Sequence, residues 1–378
     1  MVEQKTCLYV LPMKNRKCRM LVKTGNHFCG EHAIFDSDNE RRIPCPLDKK
    51  HTILSSQLDQ HLKRCNSRLR TDFAWIKQNV NAVKGETKAD EKLNFDKDEK
   101  QMSLVADILI NFDLNTLNIT REQAYDENVE AFLSDNLDLG YSKKKHLHQI
   151  SSIIGHVRNT NALPSNKTDC VVELGAGKAQ LFYWLSRAAP FGSYILIDRD
   201  GSRLRWDSRA VKENPDLRMV RLRCAIEHID LSELEYIKES TSILALCKHF
   251  CGSATDAGMR SIVMNEVSSD RAVLVPCCHH RSRFDEYTGH EFLSTIGIDN
   301  PDDFAVLRYF SSFAINGSGS EFWNETYSTK KLGERAKILL EYGRVDWFNR
   351  NGYTAKLIEY IPSSISPENL LIFAEKNK

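Results

Sequence analysis

This chain predicts an α/β protein: a doubly wound, Rossmann-like sheet preceded by two small metal-stapled modules and a helical linker region. Three observations predict it. Eight of the first 65 residues sort into two complete four-ligand metal sets. A buried strand at Cys170–Leu174 runs through the turn Gly175-Ala176-Gly177-Lys178 into a helix, which is the opening unit of a doubly wound sheet. Further apolar runs then end abruptly at Asp198, Lys248 and Pro276. The expected divisions are residues 1–39 and 40–70 for the two modules, 71–160 for the linker and helical region, and 161–378 for the sheet domain.

The metal sets are Cys7, Cys18, Cys29 and His32, then Cys45, His51, His61 and Cys65. So short and polar a segment cannot bury enough apolar surface to fold unaided, whereas tetrahedral zinc supplies roughly 10 to 16 kcal/mol in small peptides. The metal is therefore read as the core of each module. In the second set Cys45-Pro46 opens a turn, His51 follows in a strand-like stretch, and His61 and Cys65 lie four apart, on one face of a helix. In the first, Phe28-Cys29-Gly30-Glu31-His32 is a tight loop that Gly30 allows to turn, with His27 competing with His32.

Composition places the whole. Eleven cysteines among 378 residues, without disulfide-style spacing, suit a reducing compartment where thiolates bind metal. The start Met1–Cys7 has no signal-type apolar core, and no window approaches the roughly 18 apolar residues of a membrane span. A soluble protein of the cytoplasm and/or nucleus, with no membrane partner, is expected. Residues 1–70 carry 14 Lys and Arg against 7 Asp and Glu, a balance of +7, while the remainder carries 38 against 44. Basic zinc modules point to a polyanion such as RNA or DNA.

Residues 67–100 turn polar, reading as a linker that follows one helix around Phe73-Ala74-Trp75-Ile76. Helical periodicity resumes at Leu104, Ile108, Leu109 and Phe112, and again at Ile150, Ile153, Ile154 and Val157. Lys143-Lys144-Lys145-His146 reads as a solvated helix face with the option of touching phosphates.

In the sheet domain the helix after the glycine turn is expected over Gln180–Ala189. Gln180 replaces the third glycine of the dinucleotide fingerprint, and Glu173 ends the strand. A carboxylate there repels a pyrophosphate and welcomes a cation. S-adenosylmethionine fits, because its ammonium and sulfonium are positive and its carboxylate can rest on helix-start amides. Glu173, Gly175, Ala176 and Gly177 are thus cofactor candidates. Asp198 ends the strand Ser193–Asp198, 23 positions after Gly175, and is the candidate ribose ligand. A third strand is expected over Arg221–Ile226, and two more deliver Lys248-His249-Phe250-Cys251-Gly252-Ser253-Ala254-Thr255-Asp256 and Pro276-Cys277-Cys278-His279-His280-Arg281. In a parallel sheet these ends share one edge with Gly175, where ligands bind. Contiguous Cys-Cys-His-His cannot easily wrap one ion, so that motif is not read as a third zinc site. Ala355–Ile361 and Leu370–Ala374 are expected to close the sheet with an antiparallel edge.

Taken in order, the Cys-Cys-Cys-His finger, the Cys-His-His-Cys finger, KKKHLHQISSIIG (143–155), VVELGAGKAQL, ILIDRD with RLRWD (203–207), KHFCGSATD, PCCHHR, GYTAKLIEYI and SPENLLIFA resemble a known family. It is the eukaryotic tRNA 2′-O-methyltransferase family acting on the nucleotide at position four of the acceptor stem. The resemblance spans nearly the whole chain. It implies a class I methyltransferase sheet, S-adenosylmethionine as donor, tRNA as substrate and a ribose 2′-hydroxyl as acceptor. There are departures. Ala225 stands where the family tends to place an acid for the adenine, with Glu227 and His228 as neighbouring substitutes, and Phe313 stands where a tryptophan is expected.

A sulfonium methyl is already activated, so the enzyme has to align oxygen, carbon and sulfur and take up the hydroxyl proton. Lys248 or His280 is the expected base and Asp256 the group orienting it, with a phosphate or cofactor contact as the alternative role for Lys248. Arg203, Arg205 and Arg281 are candidate phosphate contacts. Two other classes are compatible with parts of the pattern: an RNA-binding zinc-finger protein with a non-catalytic scaffold, and a small-molecule methyltransferase or nicotinamide enzyme. Gln180 and Glu173 argue against the nicotinamide.

Overall fold

The computed structural model describes residues 6–11, 16–22, 26–35, 42–65, 68, 73–83, 99–199, 205–263, 269–316 and 328–378. Arg203 and the charged stretch 84–92 lie outside them. The chain divides into two compact units, Met1–Arg70 and Thr71–Lys378. No helix among the described residues is long and apolar enough to cross a membrane.

The first unit is nearly all ligand scaffold. Strands β1 (Val10–Leu11) and β2 (Arg16–Lys17) pair antiparallel, as do β3 (Arg42–Cys45) and β4 (Asp48–Leu54), and α1 (Leu58–Arg64) follows. Among the described residues its first part buries an apolar cluster of Cys7, Cys18 and Cys29, with Tyr9, Val22 and Phe28 packed around it.

The second unit opens with the strap 73–83, then α2 (Glu99–Asn111), β5 (Ile119–Arg121), α3 (Glu127–Asp135) and α4 (Tyr141–Asn159). Strand and helix then alternate: β6 (Asp169–Leu174), α5 (Gln180–Ala188), β7 (Ser193–Asp198), α6 (Trp206–Glu213), β8 (Arg218–Arg223), α7 (Glu235–Lys238), β9 (Ser242–Cys251), α8 (Ser253–Val263) and β10 (Arg271–Cys277). Four helices follow, α9 (His290–Thr295), α10 (Pro301–Ser311), α11 (Phe313–Asn316) and α12 (Thr329–Arg350), and the chain closes with β11 (Tyr353–Glu359) and β12 (Leu370–Lys376). The sheet order is β5-β11-β12-β10-β9-β6-β7-β8. Strands β10, β9, β6, β7 and β8 are mutually parallel, and β12 is antiparallel to both β10 and β11.

Alternation along the central strands feeds two apolar layers, as pleating requires. Cys170, Val172, Leu174, Ile195, Ile197, Ala245 and Cys247 face α8 and α12, packing on Met259, Ile262, Val345 and Phe348. Val171, Tyr194, Leu196, Leu244, Leu246 and Val273 face α3, α4 and α5, where Ile150, Ile153, Ile154 and Val157 are buried as their spacing predicts. Successive connections leave β6 toward β8 and return at β9, so the strand order reverses between β6 and β9. A crevice outside the carboxyl ends of those two strands is the consequence.

Four local expectations need correcting. Phe73–Ile76 is not helical but a turn and bridge: Ile76 pairs with Ile229, Lys77 reaches Asp230 (2.7 Å), and the Asn81 amide caps the carbonyls of Ile226 and Ile229. In α2 the buried face is Met102, Val105, Ala106 and Leu109, while Leu104 is exposed. The third parallel strand ends at Arg223, before Ala225. The pair β11 and β12 does not form the sheet's edge, because β5 adds a further strand parallel to β11 outside it. A third apolar cluster joining α2, α9, α10, α11 and α12 was not anticipated.

Candidate active site and metal centres

The two metal sets assemble as the spacing suggests. All four donor atoms of Cys7, Cys18, Cys29 and His32 lie within 4.8 Å of one another, as do those of Cys45, His51, His61 and Cys65. In the first, His32 presents Nδ1 to Cys29 Sγ (3.2 Å) and Cys7 Sγ (3.5 Å), with Tyr9 stacked on its imidazole at 4.1 Å. His27 stays out of that cluster. In the second, both histidines use Nε2: His51 to His61 is 3.1 Å, His61 to Cys45 Sγ 3.1 Å, and Cys45 to Cys65 Sγ 3.6 Å. Tetrahedral zinc at ordinary bond lengths spaces two sulfurs by about 3.8 Å and two nitrogens by about 3.3 Å. The donor sets fit that ion.

The crevice is built from four strand ends. After β6, Gly175 (φ +67°) and Gly177 (φ +51°) take left-handed conformations, and so does Ala179 (φ +59°) where α5 begins. For an alanine this costs about 1 to 2 kcal/mol, a strain sustained only where the surroundings enforce it. A Cβ on Gly175 would fall 2.6 Å from the ring of Phe250 on β9, so only glycine closes this turn. The Ala176 amide donates to Ile197 O (2.9 Å) and the Gly177 amide to Asp198 Oδ2 (2.7 Å), tying the turn to the end of β7. Arg221 donates to Gly177 O (2.6 Å) and to Asp207 (3.0 Å).

Glu173 and Lys248 stand at the ends of the adjacent strands β6 and β9, the first buried and the second half-buried. Burial pushes the Glu173 carboxyl up to about 8 against the opposing pull of Arg221, and its Oε2 is buried with no hydrogen-bond partner among the described residues. A buried carboxylate oxygen left unpaired is costly, and a cation seated beside it removes the cost. Burial likewise pushes Lys248 down to about 8, with Glu173 and Cys277 opposing and Lys145 assisting. Its Nζ donates to His146 Nδ1 (3.2 Å) on α4, and His249 Nε2 donates to Gln149 Oε1 (3.1 Å) one turn further along. Burial, then Lys248 and His146, holds His249 at about 3, so it is a neutral imidazole. His146 and Gln149 were not read as site residues, because their role exists only once α4 lies across β9.

Asp256 does not orient either candidate base. It is fully buried on α8, bound by Arg344 Nε and Nη2 (3.1 and 2.8 Å) and by Thr288 Oγ1 (2.9 Å). Arg344 also holds Glu341 (2.7 Å), which receives His279 Nε2 at 2.6 Å. That buried network anchors the turn after β10, and His279 is its member, whereas His280 is exposed. His228 is likewise spoken for, since its Nδ1 accepts the Asn79 amide (3.1 Å). Arg205 pairs with Asp207 (3.5 Å), and Arg281 packs against Gly252.

A strand-end crevice with an acid, a glycine turn and a ribose-type Asp, in a chain that also carries two zinc modules, defines a methyltransferase-like α/β protein of the nucleic-acid-handling kind. The chain belongs to the TRM13 methyltransferase family, whose model matches residues 148–375. The models for the CCCH zinc finger in TRM13 protein and for the U11-48K-like CHHC zinc finger match residues 5–33 and 42–66. Among similar proteins are a human one named tRNA:m(4)X modification enzyme TRM13 homolog, 27% identical over 98% of this chain and 94% of its own. One of Schizosaccharomyces pombe, named tRNA:m(4)X modification enzyme TRM13, is 29% identical over 91% and 98%. Likeness to solved structures is shallow: the methyltransferase domain of bacterial CtHen1 aligns at a TM-score of 0.36, 10% identity, over 61% of this chain and 97% of that one.

The metal reading predicts that His61→Ala loses one zinc per chain together with the hydrogen-exchange protection of residues 42–65. Peptides of β6 and β7 keep theirs. Protection of 42–65 that persists without the metal contradicts zinc as the core of that module.

Proposed function

We propose that this protein transfers a methyl group from S-adenosylmethionine to the ribose 2′-hydroxyl of a tRNA acceptor-stem nucleotide, at position four. The observation that carries the reading is Lys248: a half-buried amine at the carboxyl end of β9, depressed to about 8 and bonded to His146. The relatives named as tRNA modification enzymes, matched along nearly their whole length, support the substrate class. The basic balance of residues 1–70 suits a phosphate backbone.

S-adenosylmethionine supplies, when bound, an electrophilic methyl group on a sulfonium. The unpartnered oxygen of Glu173 suits its ammonium, the amides of Ala176 and Gly177 border its position, and Asp198 suits its ribose hydroxyls. Lys248, neutral when unprotonated, accepts the 2′-hydroxyl proton as the new O–C bond forms and the S–C bond breaks. His146 holds the amine in place and offers the next site for that proton. Positioning of this kind contributes on the order of 7 to 11 kcal/mol in favourable cases and a base roughly 10²- to 10⁴-fold.

Three outcomes are expected. Incubation with bulk tRNA and methyl-labelled donor, followed by nuclease mapping, places the label on one ribose in the acceptor stem, and label in a base overturns the acceptor assignment. Lys248→Met retains donor binding but loses roughly 10²-fold or more in turnover. In the unaltered protein the rate rises with pH through the region of 8, because only the neutral amine accepts a proton. The groups facing that amine are Glu173, Cys277, Lys145 and His146. Near-normal turnover by Lys248→Met ends the assignment of the base.

A further inference from the structure

Three sulfurs meet beside the crevice, and the backbone is bent in three places to bring them there. Strands β9 and β10 run in parallel register from Arg271 opposite Leu244 to Val275 opposite Lys248, after which Pro276 lies opposite Phe250 and Cys277 opposite Cys251. The skipped residue is His249, in a left-handed conformation at φ +61°. It is the extra residue of a β-bulge, and it moves Cys251 rather than Phe250 opposite Cys277. Gly252 follows at φ +57°, where a Cβ would lie 2.6 to 2.8 Å from Arg281. Cys278 is itself left-handed at φ +53°, which folds its sulfur back to within 3.6 Å of Cys277 Sγ.

The result is a compact thiol triad. Cys251 Sγ to Cys277 Sγ is 3.2 Å, and all three sulfurs lie within 4.8 Å of one another. Cys277 is buried and the other two are half-buried, so the group is walled on one side and reachable on the other. His249 and Cys278 are thus both non-glycine residues held in the left-handed region, which L side chains rarely adopt. Such strain is retained where a ligand or a neighbouring contact repays it. No other cysteines of the sheet are gathered so: Cys170, Cys224 and Cys247 join no donor group among the described residues.

We propose that Cys251, Cys277 and Cys278 form a third zinc site, with three thiolates and one open position. The spacing approximates the roughly 3.8 Å edges of a sulfur tetrahedron around zinc, and three protein donors leave the fourth vertex to water or to a heteroatom of whatever enters the crevice. Contiguous Cys277-Cys278-His279-His280 does not wrap the ion by itself. His279 is held by Glu341, and Cys251 from the neighbouring strand supplies the donor that the motif lacks. The site is independent of the acceptor assigned above, since it rests on the sulfur geometry alone.

The test is zinc stoichiometry of the full chain, kept reduced and passed over a weak chelating resin. About three zinc per chain are expected, falling to about two in Cys278→Ser and in Cys251→Ser, with Cys170→Ser remaining at three as a control. Cobalt replacement gives sulfur-to-metal charge-transfer absorption that diminishes by the same increment in the two variants. A wild-type count of two overturns the proposal, whether the thiols are then all free to alkylation or two are missing as a disulfide. Should Cys251→Ser fail to fold, Cys278→Ser and the wild-type count decide the matter.

Discussion

The ring of Phe250 is the contact on which the rest of the crevice depends. It lies between two glycines, and a Cβ on either Gly175 or Gly258 would come within 2.6 Å of it. Because neither residue has a side chain, the turn after β6 closes down on the end of β9, and α8 closes from the other side. Glu173, the Gly175 turn and Lys248 are thereby held in one place. The glycines cost chain entropy, roughly 0.5 to 1 kcal/mol each within regular structure, and the ring returns apolar burial.

Around that contact two kinds of polar arrangement divide the work. Behind it, Asp256, Arg344, Glu341 and His279 form a nearly closed buried network in which Arg344 is matched by two carboxylates. Such a network is expensive to break, since loss of one partner leaves an unpaired buried charge worth about 3 to 5 kcal/mol. In front, Glu173 is buried with one oxygen unpartnered and Lys248 is half-buried, and each is pushed toward its neutral form. The ion-paired network holds the shape, and the pair pushed toward neutrality marks where chemistry is to happen.

Much of this was legible in the residues, and what was not has a physical cause. Parallel central strands are buried on both faces, so Cys170–Val172, Ile195–Ile197 and Leu244–Leu246 stand out as continuous apolar runs. Left-handed turns advertise themselves through Gly175 and Gly177, and a metal quartet through Cys and His spacing. The bulge at His249 left no such mark, because no glycine accompanies it and register is a property of two strands. Helix α12 was hidden for a related reason: it buries Lys337, Glu341 and Arg344, and those charges erase the periodicity that a buried face usually shows. The partner of Asp256 is not legible locally, because Arg344 lies 88 positions away. Phe73–Ile76 is not helical because the stretch 73–83 makes its long-range hydrogen bonds, through Trp75, Lys77 and Asn81, to residues 226–230, which no local window contains.

The central claim is that four strand ends, closed by the Phe250 contact, make one donor site. Calorimetric titration of the full chain with S-adenosylhomocysteine tests it most directly. The account predicts a single site per chain that is abolished in Gly175→Val, whose side chain cannot coexist with the ring, while circular dichroism and finger zinc content are unchanged. Absence of binding by the natural sequence, or undiminished binding by Gly175→Val, would contradict it.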